Sequence, residues 1–385
     1  MTSGGTRIPY YNNDGVYQFG QFEIRDGFGS DAYTLFRKPD RDNNGVMGNW
    51  GKQRPVCVGE KYVPGHVQMN IDFSAHKVAR LRHNIKNGKA VGHFDRVPGE
   101  LIKYGAPKGV SSIDRALSQL WEYIHDNSAC PIYWVESTFT MLYKQDGCQG
   151  IYGNYRSISG SSIPGKLYEK HIADEMSAYA CKNVNPIFNE HQGGFWVGRG
   201  CEMLQLAALG TARLVMSGYE TLLPLRKTTK LLHKPPKYSW NNFSGLNAPK
   251  SSLEFKCTGE MPRGLKPHAY LFFLDMRKAF DTTSHDILFS ELRRFGMSMD
   301  TILALADIYS KISMRVKTNG NLSQSFDPDI GFPQGRPASP FNWNASYDGG
   351  CLDDLCRAGL CYRIDGDGFA IFVFADDTLV ICDKP

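Results

Sequence analysis

An α+β protein is what the sequence predicts, and two observations carry that expectation: short continuous apolar runs of strand length, and longer stretches with apolar residues at helical spacing. YLFFLD (270–275) and FAIFVF (369–374) are apolar and too short for a helix, so they read as buried strands. Behind Ser111, the residues Ile113, Leu117, Leu120, Trp121 and Ile124 fall on one face at a 3.6-residue period, which predicts a serine-capped amphipathic helix. Further helices are expected from Lys166 to Tyr179, from Glu202 to Met216 and from Asp286 to Phe295, the last closed by Gly296 at its C-terminal cap. Strands alternating with helices around a central sheet make the fold mixed rather than all-α or all-β.

Composition narrows the class without naming a function. The chain has 385 residues, 42% hydrophobic and 22% charged, which is ordinary for a folded protein with more than one core. A net charge of +5 and a pI near 8.5 permit contact with a polyanion and do not identify one. The ten cysteines include no C-x-x-C pair and no zinc-site spacing, so reduced thiols are expected. The apolar runs are far too short for a membrane span, and MTSGGTRIPYYNNDG has neither a signal-peptide core nor transit-peptide amphipathicity. Residues 1–75 are rich in Tyr, Gly, Asn and Asp with little periodicity and read as an extension of uncertain order. From Arg226 to Lys266, nine Lys/Arg against two Glu suit a solvated loop or a basic arm that touches phosphates.

The acids suggest chemistry. Asp275 ends one apolar run, and Asp376-Asp377 lie between FAIFVF and TLVIC at what reads as a hairpin tip. Carboxylates brought together repel one another unless a cation neutralises them, and hard divalent ions with oxygen ligands do this. Two such ions about 4 Å apart can activate a hydroxyl and stabilise a leaving pyrophosphate in an in-line displacement.

LDMRKAFDTTSHDIL (274–288), GFPQGRPASP (331–340) and FADDT (374–378) resemble, in that order, the three palm motifs of reverse transcriptases, most closely those of non-LTR retrotransposons and group II introns. The resemblance extends upstream. IKNGKAVGHFDRVPGELIKYG (85–105) is similar to an early element of the family, with Val91 in place of proline. MLYKQDG (141–147) and NYRSISGSSIPGKLYEKHI (154–172) resemble the fingers region, with Ser157 in place of proline. HQGGFWVGRGC (191–201) resembles the element that follows, with Trp196 where arginine is common.

The resemblance covers about four fifths of the chain and implies a right-hand polymerase: an extension over 1–75, fingers over 76–265 with the basic insert, and a palm over 266–385. It implies Asp275, Asp376 and Asp377 as catalytic metal ligands for two Mg²⁺ ions, with Mn²⁺ as a substitute. Phe280 takes the position of the aromatic that excludes a 2′-hydroxyl. Lys144 and Arg156 match positions that grip the triphosphate, suited respectively to a point charge and a guanidinium fork. Pro333, Gln334 and Gly335 match the loop beneath the template and the nascent pair: Gln334 and Gly335 on the nucleotide side, Pro333 and Arg336 as template or primer contacts. His285 is expected to be structural.

Departures from the family qualify this picture. Relatives follow the acid hairpin with a further palm element, a primer grip and a helical thumb. Eight residues after Asp377 do not hold these, so the expectation is fingers and palm without a recognisable thumb, with a second chain supplying one. No endonuclease constellation is visible. The chain is similar to free-standing reverse-transcriptase-like proteins of organelle genomes, which implies a mitochondrion or other organelle, with nucleus or cytoplasm as the alternative. The expected partners are an RNA template, a DNA or RNA primer and dNTPs, without a membrane. Two functions stay open: an RNA-directed DNA polymerase, or a retroelement-derived RNA-binding protein that no longer polymerises.

Overall fold

A computed structural model describes residues 10–11, 17–18, 21–36, 69–182, 192–196, 199–217, 269–276, 278–347, 363–364, 368–369 and 371–382. The basic segment 226–266 lies outside them. The chain forms two compact units, Met1–Phe188 with Lys278–Gly350, and Asn189–Arg277 with Cys351–Pro385. Each is discontinuous in sequence, so neither matches a contiguous stretch such as 76–265 or 266–385. No helix among the described residues is long and apolar enough to cross a membrane.

In the first unit, strands Ser137–Tyr143 and Tyr155–Ser161 form an antiparallel hairpin. Tyr155, Ser157, Ser159 and Ser161 are buried while Arg156 is exposed, the two-residue alternation of a sheet with one covered face. Met314–Thr318 joins parallel to 137–143, and Asn321–Leu322 closes the four-stranded order. A parallel pair needs a long crossover, and helices of the same unit lie within it. Ile163–Lys182 buries Tyr168, Ile172 and Met176 at a spacing of four, and His285–Arg294 buries Leu288 and Leu292 in the same way. Both observed helices contain the expected ranges to within a few residues.

The helix behind Ser111 spans Ser112–Asp126, with Ser111 and Asp114 forming a reciprocal capping box. Its buried stripe differs from the expected one. Ile113 and Leu120 are exposed, and the covered positions are Asp114, Trp121, Ile124 and His125. The inward face thus carries two polar residues, which an apolar count alone passes over. Asp114 is buried because Arg82 is buried beside it, with Nε 2.7 Å from Oδ1 and Nη2 3.0 Å from Oδ2.

The first 75 residues contain regular structure. Gln21–Leu35 is a helix, and Phe28, Ala32 and Phe36 are wholly buried. Phe36 stacks on Phe139 at 5.6 Å, and Phe28 meets Tyr155 edge-on at 5.4 Å. This helix is a wedge in the core of the first unit.

The second unit holds a three-stranded antiparallel sheet in the order Ile371–Phe374, Asp377–Cys382, Tyr270–Leu274. Ile381 packs with Ala208 and Val215 of the Cys201–Ser217 helix. Ile371 and Val373 are buried as expected, but Leu271, Phe272, Phe273 and Leu274 are 41–79% exposed. The buried-strand expectation fails for YLFFL because 270–274 is the edge of this sheet, paired along one side only among the described residues.

Candidate active site

The second unit brings the three predicted acids to one end of its sheet. Phe374 pairs with Asp377 across a two-residue turn, Ala375-Asp376, the connection length of a tight hairpin. Thr378 pairs with Leu274, so the antiparallel register places the next positions, Asp377 and Asp275, opposite one another. Like charges in that relation are destabilising. Burial raises the Asp376 carboxyl above its ordinary value, with Asp377 and Asp275 adding to the rise. The donors here are carboxylate oxygens, the chemistry of Mg²⁺ or Mn²⁺ sites. Among the described residues, however, no three acidic, His or Cys side chains are arranged to hold a metal ion.

In the first unit, Lys144 and Arg156 are both exposed. Leu142 pairs with Arg156, and the Lys144 N–H donates to Asn154 O at 2.9 Å. The two cations are therefore diagonal neighbours on one face of the hairpin. The Phe280 ring is half-buried and stacks on Trp343, with centroids 5.2 Å apart. His285 opens its helix, reaches Gly331 O through Nε2 at 2.8 Å and packs against Phe332 and Tyr309, the structural place expected of it.

The 333–336 turn docks on the same hairpin: the Ser159 N–H donates to Gln334 O at 2.7 Å. Gly335 is exposed with φ +98°, and an added Cβ would come within 3.1 Å of Ser159 O, so a side chain here would be strained. Pro333 is buried and shapes the turn. Arg336 corrects its expectation. It is 3% exposed, with Nη2 2.7 Å from Glu169 Oε2 and Nη1 donating to Val135 O at 3.0 Å. A guanidinium consumed in this way is a core strut and has no donor fork to offer a template or primer phosphate.

Neither Lys278 nor Asp281 stands out in the sequence. Lys278, left-handed at φ +54°, and Lys144 direct their amines toward the same Gly153 carbonyl, at 3.5 and 3.1 Å. Asp281 is 3% exposed, and its Oδ1 meets no hydrogen-bond donor among the described residues. Burial pushes its carboxyl up to about 6, against the pull of Lys278 and Lys144. A raised carboxyl binds its proton more tightly when folded, so stability falls as pH rises through about 6. Asp281→Asn is therefore expected to stabilise the protein by about 3 kcal/mol at pH 7–8. The gain should vanish below about pH 4, and urea titrations at the two pH values check both halves.

A family model described as "Reverse transcriptase (RNA-dependent DNA polymerase)" matches residues 143–385. The chain is also 31% identical over 112 residues to a protein of Popillia japonica described as a retrovirus-related Pol polyprotein from type-1 retrotransposable element R2. That similarity covers 29% of this chain and 16% of the polyprotein.

Proposed function

Since the chain belongs to the reverse transcriptase family, we propose that it is an RNA-directed DNA polymerase of the non-LTR retrotransposon type, which joins deoxynucleotides to a primer 3′-hydroxyl on an RNA template. The observation that carries this reading is the strand register that sets Asp275 opposite Asp377, with Asp376 in the adjoining turn. The acids offer the oxygen donors that Mg²⁺ ions take, although no three of them converge on one point as placed; such ions, when bound, would supply hydroxyl activation and neutralise charge on the leaving pyrophosphate. Lys144 and Arg156 contribute a point charge and a planar fork to the triphosphate. Phe280, held by its stack on Trp343, sets a wall that a 2′-hydroxyl would strike. Gln334 and Gly335, in the first unit, offer a narrow backbone turn of the kind that can lie against a nascent pair.

Primer extension on an RNA template with dNTPs and Mg²⁺ tests this. Incorporation should cease on chelation by EDTA, return with Mg²⁺ or Mn²⁺, and drop when rNTPs replace dNTPs. Incorporation that survives chelation, or RNA binding with no incorporation in any metal, would sink the polymerase reading.

A further inference from the structure

Gln192 is 1% exposed in the second unit, and its side chain is spent on the acid hairpin. Its Oε1 accepts the N–H of Ala375 at 3.0 Å and that of Gly194 at 2.7 Å, while Nε2 donates to Ala375 O at 3.1 Å. The backbone reinforces the attachment. Gln192 forms a parallel bridge with Val373, and the Gly193 N–H donates to Val373 O at 2.7 Å. Arg199 Nη1 in turn donates to Gln192 O at 2.7 Å. A Cβ on Gly194 would lie 2.9 Å from Ala375 Cα and inside contact distance of its nitrogen, so the clamp and the turn meet backbone to backbone.

Ala375 is where a tight grip matters. Its φ is +59°, a left-handed conformation that costs a non-glycine residue about 1 kcal/mol or more and persists only where the surroundings over-determine it. It is also the residue immediately before Asp376-Asp377. We propose that Gln192 is a positioning residue for polymerisation: its buried carboxamide closes on both the N–H and the C=O of Ala375 and thereby fixes the turn that carries Asp376 and Asp377. The inference rests on the polymerase reading above. The role needs a donor and an acceptor on one planar group at this reach, which glutamine supplies; glutamate loses the donor, methionine loses both, and asparagine withdraws the amide by one methylene.

Two measurements on the full chain test it. Gln192→Met should speed hydrogen exchange of the Ala375 amide at least about tenfold and lower kcat about 10- to 100-fold, with the dNTP KM within about twofold. Gln192→Glu should fall between. Adding Ala375→Gly to Gln192→Met should recover part of the lost kcat, since glycine takes the left-handed turn without strain and the two sites are coupled. Should Gln192→Met fail to fold, Gln192→Asn is read in the same assays. Unchanged Ala375 exchange in a folded Gln192 variant, or a loss confined to KM, overturns the proposal. If the wild-type chain incorporates no nucleotide, the polymerase reading has failed, and the Ala375 exchange rate still judges the clamp.

Discussion

Arg82→Ala is expected to cost about 3–5 kcal/mol, the range for breaking a buried ion pair from one side. Arg82 is 1% exposed and Asp114 0%. Besides its two bonds to Asp114, the guanidinium donates to Lys103 O at 2.9 Å, Ala106 O at 3.3 Å, Pro107 O at 3.0 Å and Gly109 O at 3.3 Å. It therefore gathers the 103–109 connection as well as holding the capped helix. Alanine would strand a buried carboxylate and several carbonyls together. Denaturant unfolding followed by circular dichroism checks the size, and a loss below about 1 kcal/mol would contradict it. Arg82→Met with Asp114→Leu should recover much of the loss, because an apolar pair of similar volume tolerates burial. Acid supplies the sign. Burial alone would raise Asp114, but Arg82 and Ser111 hold its carboxyl below the ordinary range. Its stabilising contribution is present above the ordinary value and is lost as pH falls through the lowered one, so the gap between wild type and Arg82→Ala should narrow below about pH 4.

Asp376→Asn should move activity and stability in opposite directions. Asparagine keeps the shape of the side chain and its place in the turn while removing one of the three negative charges. If Asp376 helps to hold divalent ions, the loss of several kcal/mol of charge stabilisation lowers incorporation by about 10³-fold or more. The same change removes a carboxyl whose charged form is penalised first by burial and then by Asp377 and Asp275, so the folded state should melt at a higher temperature near neutral pH. Equal incorporation by wild type and variant would end the case for Asp376 as a metal ligand. A lower melting temperature would show that the acid is a structural turn residue after all.

What could be read from sequence follows the range of the interactions involved. The Ser111 cap, the helix boundaries around 163–182 and 285–294, and the 371–382 hairpin depend on residues within a few positions of one another, and the pattern displays them. The helix at 21–35 hides because Gly27 and Gly29 dilute it, although Phe28, Ala32 and Phe36 hold the four-residue spacing of its buried face. Arg336 reads as a phosphate contact in sequence because its partner, Glu169, is far away in the chain. The exposure of YLFFL is likewise a matter of sheet order, which an apolar run does not reveal. Asp281 shows the same limit, since the lack of a donor to its Oδ1 among the described residues depends on how distant parts of the chain pack around it.

The strand register that aligns Asp275 with Asp377 joins positions 102 apart in the chain, 377 less 275, and the 278–350 stretch of the other unit lies between them. Closing so long a loop must be met in chain entropy before any contact of the sheet rewards it. The helices at 163–182 and 285–294 need only local turns. The acid-bearing end of this sheet, like the pairing of 137–140 with 314–317, is therefore expected to form after the local helices, so that a chain with native helical signal can still lack its aligned acids.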